Sequence, residues 1–197
     1  MRYDVIIIGA GIAGIRAASA LQKSGIKTIL VSAGRSISEV PTTAYEAAGG
    51  MLLMGGTVTG GTFEGARLLS VRTDRLGTYE LKADRFIIAT GKFLGKGLVA
   101  DMERIFEPVF GLDIDYEPDR SLWFDSSFGG EQRFLTFGVR TDSLSRPSIG
   151  GMTVDNLFAC GELLHGVSAV TGMENIAASA DAVVSTITSL EDAGKEQ

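Results

Sequence analysis

Tyr3 to Ile8 is a continuous apolar run rich in β-branched residues, the pattern of a parallel strand buried on both faces, and it ends in glycine. From Ile12 to Ser24 the residues Ala13, Ala17, Ala20 and Leu21 recur at helical spacing, and Gly25 stands where a left-handed residue closes a helix. Lys27 to Ser32 carries a second buried run, Thr28-Ile29-Leu30-Val31. The three segments predict a β-α-β unit with a right-handed crossover.

Beyond it the pattern changes. Ser36 to Gly50 holds Pro41, Thr42-Thr43 and Ala47-Ala48-Gly49-Gly50, too little for a full crossover helix and both of its loops. Met51–Met54, Gly56–Phe63, Arg67–Thr73 and Tyr79–Ala83 alternate between apolar and polar residues, with glycine-containing turns between them, and read as a β-meander. Phe86-Ile87-Ile88-Ala89 is again a buried parallel strand, leading into Thr90-Gly91. Residues 92–150 mix charge, aromatics and turn signals and read as a small irregular α+β excursion. Val154 to Cys160 returns to a buried strand. From Asn175 to Leu190 the positions Ile176, Ala177, Ala180, Val183, Val184, Ile187 and Leu190 follow one helical face, and Glu191–Gln197 reads as a solvated, frayed tail. The expected class is α/β, Rossmann-like: a central parallel sheet, a β-meander and a C-terminal helix. We read 1–197 as one domain made of a β-α-β unit (1–35), an abbreviated connection (36–50), meander and following strand (51–91), excursion (92–150), and final strand and helix (151–197).

Composition narrows the function. Twenty-six glycines against 4 prolines is roughly double the usual glycine share without a collagen-like period, which points to backbone approaching a ligand closely. A net charge of −6 with no Lys/Arg run argues against nucleic acid and against electrostatic attachment to an anionic membrane. Cys160, the single cysteine, excludes an intrachain disulfide and an iron–sulfur cluster held by this chain alone, and fits a cytoplasmic chain. The first twenty residues resemble a secretory leader, but Asp4, Arg16 and three glycines interrupt the apolar stretch. Nothing later is apolar for long enough to span a bilayer, so a membrane anchor would have to come from another chain.

Gly9-Ala10-Gly11-Ile12-Ala13-Gly14 is a G-x-G-x-x-G that follows a predicted strand and opens a predicted helix. In that setting Gly9 permits the tight turn, Gly11 lets backbone approach a pyrophosphate, and Gly14 lets the helix pack on the sheet. The phosphates then meet the N-terminus of the helix at Ile12 and Ala13. The plain alternative is a glycine-rich turn without a ligand. An acidic residue that would accept from ribose hydroxyls is absent at the end of the second strand, where Ser32-Ala33-Gly34-Arg35 stands instead. The Ser32 hydroxyl or water would take that contact, and Arg35 either meets an adenosine-side phosphate or is a solvated loop charge.

Two further segments place small residues at strand ends facing the same crevice: Ala89-Thr90-Gly91 and Leu157-Phe158-Ala159-Cys160-Gly161-Glu162. With the glycine loop they resemble the two-dinucleotide-binding flavoproteins, across nearly the whole chain. The resemblance implies FAD as cofactor. It assigns Gly161 and Glu162 to the flavin ribityl chain, and Val58, through its backbone, to adenine. The N-terminus of the last helix, with Asn175 and Ile176 in its first turn, would lie at the flavin pyrimidine edge, where its dipole favours the negative charge of a reduced flavin. Ordinary core packing explains the same helix equally well.

Within that superfamily the chain is similar to the B subunit of anaerobic glycerol-3-phosphate dehydrogenase. The likeness rests on Tyr3-Asp4-Val5-Ile6-Ile7-Ile8-Gly9 through Val31-Ser32-Ala33-Gly34, Ala89-Thr90-Gly91-Lys92-Phe93, Gly97-Leu98-Val99-Ala100, Glu107-Pro108, Gly111-Leu112-Asp113, Phe137-Gly138-Val139, Thr141-Asp142, Arg146-Pro147 and Asn156-Leu157-Phe158-Ala159. It implies glycerol 3-phosphate as substrate, partner subunits including an iron–sulfur protein, electron delivery toward quinone, and FAD with FMN as the less favoured choice. Family members are considerably longer, with a capping domain where this chain has residues 36–50. Alcohol oxidation needs a dry, closed site and a base for the hydroxyl proton. The single histidine, His165, is the weak candidate base, more often simply a loop residue. Arg140 and Arg146 would bind an anion or serve as surface ion-pair partners. Two alternatives stand beside a catalytic dehydrogenase component: a cap-less domain that binds FAD without turnover, and a non-catalytic scaffold whose 106–137 aromatic segment docks a partner.

Overall fold

The computed structural model describes residues 2–34, 41–127, 130, 132–170 and 172–195. The chain runs through β1 (Arg2–Ile8), α1 (Ile12–Lys23), β2 (Thr28–Ser32), α2 (Thr43–Ala47), β3 (Met51–Met54), β4 (Val58–Glu64), β5 (Arg67–Thr73) and β6 (Leu81–Ile88). Six short strands follow in antiparallel pairs: β7 (Val99–Ala100) with β8 (Ile105–Phe106), β9 (Ile114–Asp115) with β10 (Gly138–Val139), and β11 (Ser148–Ile149) with β12 (Met152–Thr153). β13 (Leu157–Ala159) and α3 (Met173–Lys195) complete it.

One sheet organises the molecule, in the order β3-β2-β1-β6-β5-β4. β1 lies parallel to both neighbours, with Ile6 opposite Ile29 on β2 and Phe86 on β6. Its apolar run is continuous because both faces are covered. Val5 and Ile7 pack toward α1 and α3 with Leu21, Val183 and Ile187, whereas Ile6 and Ile8 face a second core holding Val71, Leu98, Leu112, Phe137 and Val139. The 92–150 segment therefore supplies the cover that a second layer of helices gives other parallel sheets.

The β-α-β unit forms as its pattern predicts. Gly25 is left-handed (φ +81°), and the Ile26 N–H reaches back to the Leu21 carbonyl, closing α1. The connection after β2 is short because one side chain fills the space. Tyr45 of α2 is fully buried, its hydroxyl hydrogen-bonded to Thr28 Oγ1 (3.0 Å) and to the Met51 carbonyl (3.0 Å).

Five expectations need correction. Met51–Met54 is not part of the meander: β3 lies parallel to β2 at the sheet edge, Leu30 opposite Leu52, since four apolar residues in a row carry no record of their partner. Tyr79–Ala83 and Phe86–Ala89 are not separate strands but fall on and around the single β6. The excursion contains no α-helix among its described residues, only ladders and 3-10 turns at Arg120–Leu122 and Arg133–Leu135, because no helical spacing of apolar residues runs through it. The final strand is three residues, not seven. The last helix continues through the expected frayed tail to Lys195, and Glu191 within that stretch pairs with Arg85 on β6.

β6 and Asn156 explain the shortened strand. One edge of β6 belongs to β1; the other is shared, with β5 at Leu81 and Lys82 and β13 at Phe86 to Ile88. Where β5 departs, backbone groups would be left unpaired, and Asn156 fills the notch. Its Oδ1 accepts from the Leu68 N–H (2.9 Å), and its Nδ2 donates to the Leu68 (2.8 Å) and Asp84 (2.9 Å) carbonyls. The meander and the parallel sheet are thus one continuous surface.

Candidate functional site

The glycine loop connects β1 to α1 at the C-terminal end of the sheet. Gly9 is left-handed (φ +108°), and a Cβ there would stand 2.4 Å from the Ala89 carbonyl oxygen. A Cβ on Gly14 would stand 1.9 Å from the Gly9 carbonyl oxygen. Both glycines are therefore required by the protein's own packing. Gly11 differs: a Cβ there would meet no protein atom within 4 Å. Gly11 is the N-cap of α1, without a side-chain capping bond and with no acidic residue in the first turn. The helix N-terminus thus opens onto unobstructed space with N–H groups that no side chain caps, an arrangement suited to an anion.

The other predicted residues gather round this loop in varying degree. Ala89 is buried against Gly9, and Gly91 is left-handed (φ +71°). Thr90 Oγ1 is buried without a hydrogen-bond partner among the described residues. Gly161, also left-handed, brings the end of β13 to α1, since a Cβ there would stand 2.8 Å from the Ala13 Cβ. Its N–H donates to Ser179 Oγ (2.9 Å), a tie to α3 that no sequence signal marks. Ile12 is partly buried beside Ala13 in the first turn of α1.

Ser32 ends β2 with its hydroxyl donating to the Gly34 carbonyl (2.8 Å), which leaves its lone pairs as the group to meet a ribose. Ala33 and Gly34 are exposed beyond it, and Arg35 lies outside the described residues. Val58 reaches the same corner although β4 is the far edge of the sheet. The Gly56 N–H donates to the Ser32 carbonyl (3.1 Å), and Asp74 Oδ1 accepts from the Thr57 N–H (2.7 Å).

Glu162 is half-buried, its carboxylate accepting from the Ala169 N–H (2.7 Å), so it braces the 161–170 segment. His165 is exposed on that segment. In α3 the Asn175 side chain is exposed, but Ile176 is buried in the core against α1, so only its backbone belongs to the helix start. Arg146 holds Asp142 through two nitrogens (2.9 and 2.8 Å), and Arg140 lies 3.9 Å from Asp115. Both arginines line a polar cleft on the excursion, away from the glycine loop.

Lys92, immediately after the Ala89-Thr90-Gly91 turn, is the group that sequence reasoning missed. It is buried, and its ammonium donates to the Leu135 carbonyl and to the Val167 carbonyl (2.6 Å). Burial pushes it down to about 8, opposed by the nearby Glu162 carboxylate. Cys160, wholly buried behind Gly161, is pushed up to about 12 by desolvation and is not a nucleophile. Among the described residues no helix is long and apolar enough to cross a membrane, and no cluster of His, Cys, Asp and Glu is fit to hold a metal.

Comparison with known proteins agrees with this geometry. The family model described as FAD binding domain matches residues 4–65 and 38–178. The B subunit of anaerobic glycerol-3-phosphate dehydrogenase from Vibrio cholerae serotype O1 (strain ATCC 39315 / El Tor Inaba N16961) is 39% identical over 139 residues, covering 70% of this chain and 32% of that protein. Its counterpart from Vibrio vulnificus (strain YJ016) is 33% identical over 171 residues, covering 85% and 34%. The chain thus spans about a third of the length of these curated relatives. Among solved structures, a T. acidophilum thioredoxin reductase superposes with a TM-score of 0.57 at 13% identity, covering 96% of this chain and 99% of that one, a likeness of fold.

Proposed function

Because the chain belongs to the FAD-binding domain family and is an FAD-binding oxidoreductase similar to the B subunit of anaerobic glycerol-3-phosphate dehydrogenase, we propose that it is the cofactor-carrying part of a dehydrogenase that oxidises glycerol 3-phosphate and passes electrons toward an iron–sulfur partner and quinone. The observation that carries the cofactor site is the contrast within the glycine loop. Gly9 and Gly14 are held by protein contacts, whereas Gly11 meets no protein atom and stands beside helix N–H groups that no side chain caps, which fits a pyrophosphate. The substrate and the partners rest on the two relatives alone.

FAD, when bound, supplies acceptance of an electron pair from an alcohol carbon and its onward release in single-electron steps. The chain's own residues would divide the rest of the work. Gly11 and the first turn of α1 would hold the pyrophosphate, and Ser32 with the 33–34 backbone the ribose. The backbone at Val58 would meet adenine, Ala89-Thr90-Gly91 would line the crevice, and Glu162 would accept from the ribityl hydroxyls. His165, the one histidine, would take the proton of the substrate hydroxyl.

A second reading is favoured by the short 36–50 connection, which leaves no room for a capping domain between β2 and β3: the domain would hold FAD without turnover. Both readings predict a yellow protein that releases FAD on heating. Anaerobic addition of glycerol 3-phosphate separates them, because only the first predicts bleaching of the flavin band. A colourless protein that takes up no added FAD would sink both and leave a scaffold.

A further inference from the structure

We infer that Lys92 is a positioning residue of the FAD site, its ammonium tying the 135 and 167 loops to the Ala89-Thr90-Gly91 turn and setting the Glu162 carboxylate beside the cofactor. The inference rests on the FAD assignment above but uses geometry that the assignment does not. Lys92 leaves the C-terminal end of β6 and turns inward, where its Nζ donates to the carbonyls of Leu135 and Val167. Neither acceptor is a carboxylate, so the ammonium is not neutralised where it is held. Val167 belongs to the segment that starts at Gly161 and is braced by Glu162 through Ala169, and the same segment is pinned to the excursion by the N–H groups of His165 (to Val139, 3.0 Å) and Gly166 (to Thr136, 2.8 Å). One buried ammonium thus joins the turn after β6 to the 135 loop and to the segment after β13.

The charged and titratable groups on the elements packed round it are few. They are Glu162 and His165 on the 161–170 segment, Arg133 on the 133–135 turn, and Lys96 on its own loop. Arg133 turns away to Glu117 (3.4 Å), His165 and Lys96 are exposed, and Glu162 is the one that acts on Lys92 directly. Burying an ammonium between two carbonyls is unfavourable, which is why its proton is held weakly. Delivery of an anionic cofactor to the same crevice offsets that cost. The protonated state is therefore favoured by FAD, and the neutral state by the empty fold.

Stability and affinity then respond to pH with opposite signs. The folded group titrates near 8 and the unfolded lysine at 10.5, so the empty protein gains stability as pH rises from 8 toward 10.5. FAD affinity falls over the same rise, by up to about tenfold between pH 7 and 9 if only the protonated form binds well. A lysine that merely packed would not move the two in opposite directions.

The test is FAD affinity by fluorescence quenching, and thermal unfolding of the FAD-free chain, from pH 6.5 to 9.5 in the wild type, Lys92→Met and Lys92→Arg. Expected are a wild-type Kd rising about tenfold between pH 7 and 9, a weak and pH-independent Kd in Lys92→Met, and a pH-independent Kd in Lys92→Arg that at pH 9 is tighter than wild type. Lys92→Met should also lose the alkaline gain in stability. A Lys92→Met protein with the wild-type Kd and the wild-type pH profile overturns the inference. If Lys92→Met fails to fold, the wild type and Lys92→Arg decide it: parallel pH profiles in those two overturn it. If the wild type takes up no FAD at any pH, the cofactor assignment fails and the inference with it. FAD uptake without the pH fall removes the role of Lys92 alone.

Discussion

Replacing Asn156 by leucine tests whether the sheet is spliced by one carboxamide. The exchange keeps size and shape but removes three hydrogen bonds, to the Leu68 N–H, the Leu68 carbonyl and the Asp84 carbonyl. Leu68 is fully buried, so neither of its groups can turn to water, and each costs about 1–3 kcal/mol when stripped of its partner. Asp84 is half-exposed, its carbonyl can be rehydrated, and its share is below about 1 kcal/mol. The leucine returns about 1 kcal/mol through its extra apolar surface. The net expectation is a loss of about 3 kcal/mol, a large part of the stability of a domain this size. Urea unfolding followed by Trp123 fluorescence and by far-UV circular dichroism measures it. With a slope of about 3 kcal/mol per molar, the midpoint falls by about 1 M. Asn156→Asp is at least as damaging at neutral pH, because a carboxylate faces two carbonyls that the amide had bonded. A Leu variant with its midpoint within about 0.3 M of wild type, at an unchanged slope, would refute the splice.

Gly14→Ala and Gly11→Ala should separate fold from ligand. The first drives a methyl into the Gly9 carbonyl and lowers the melting temperature of the FAD-free chain, whereas the second leaves that temperature unchanged and raises the Kd for FAD at least tenfold; a Gly11→Ala protein that binds FAD normally would contradict a pyrophosphate at Gly11. Tyr45→Phe removes two hydrogen bonds inside the core and should cost about 1–2 kcal/mol in the same urea assay, with no change in FAD affinity. Cys160 should resist a thiol reagent in the native protein at pH 8 and react on unfolding, the ratio of rates giving the protection; rapid native labelling would show the strand end at Gly161 to be open.

What the sequence made legible was local. The β-α-β unit and the glycine loop are determined within thirty residues, by a run of apolar positions, a helical spacing and three glycines. Gly9 and Gly14 act on neighbours that the motif itself supplies or predicts. The assignments that failed depend on distant partners. Met51-Leu52-Leu53-Met54 contains nothing to say that it lies beside β2 rather than β4. The excursion owes its form to pairings invisible along the chain. Glu107 is buried and takes the N–H groups of Val109, Phe110, Gly111 and Leu112, while Asp113 takes those of Gly150 and Gly151 and the Ser148 hydroxyl. Lys92 escaped notice for the same reason, since its acceptors are main-chain carbonyls at residues 135 and 167, which carry no side-chain signature.

The position of the crevice nevertheless follows from topology. β1 passes by way of α1 to β2 and on to β3 on one side, while β6 and β13 lie on its other side, so the direction of winding reverses between β1 and β6. Loops at the C-terminal ends of strands on either side of such a reversal part from each other and leave a cleft. Gly9 after β1 and Ala89 after β6 stand at this reversal, packed so closely that a Cβ on Gly9 would clash with the Ala89 carbonyl. Strand order and two glycines thus determine the end of the sheet to which the proposed cofactor site belongs. The 161–170 segment, with Glu162 and His165, is reached from elsewhere in the fold, by the Lys92 ammonium that donates to the Val167 carbonyl.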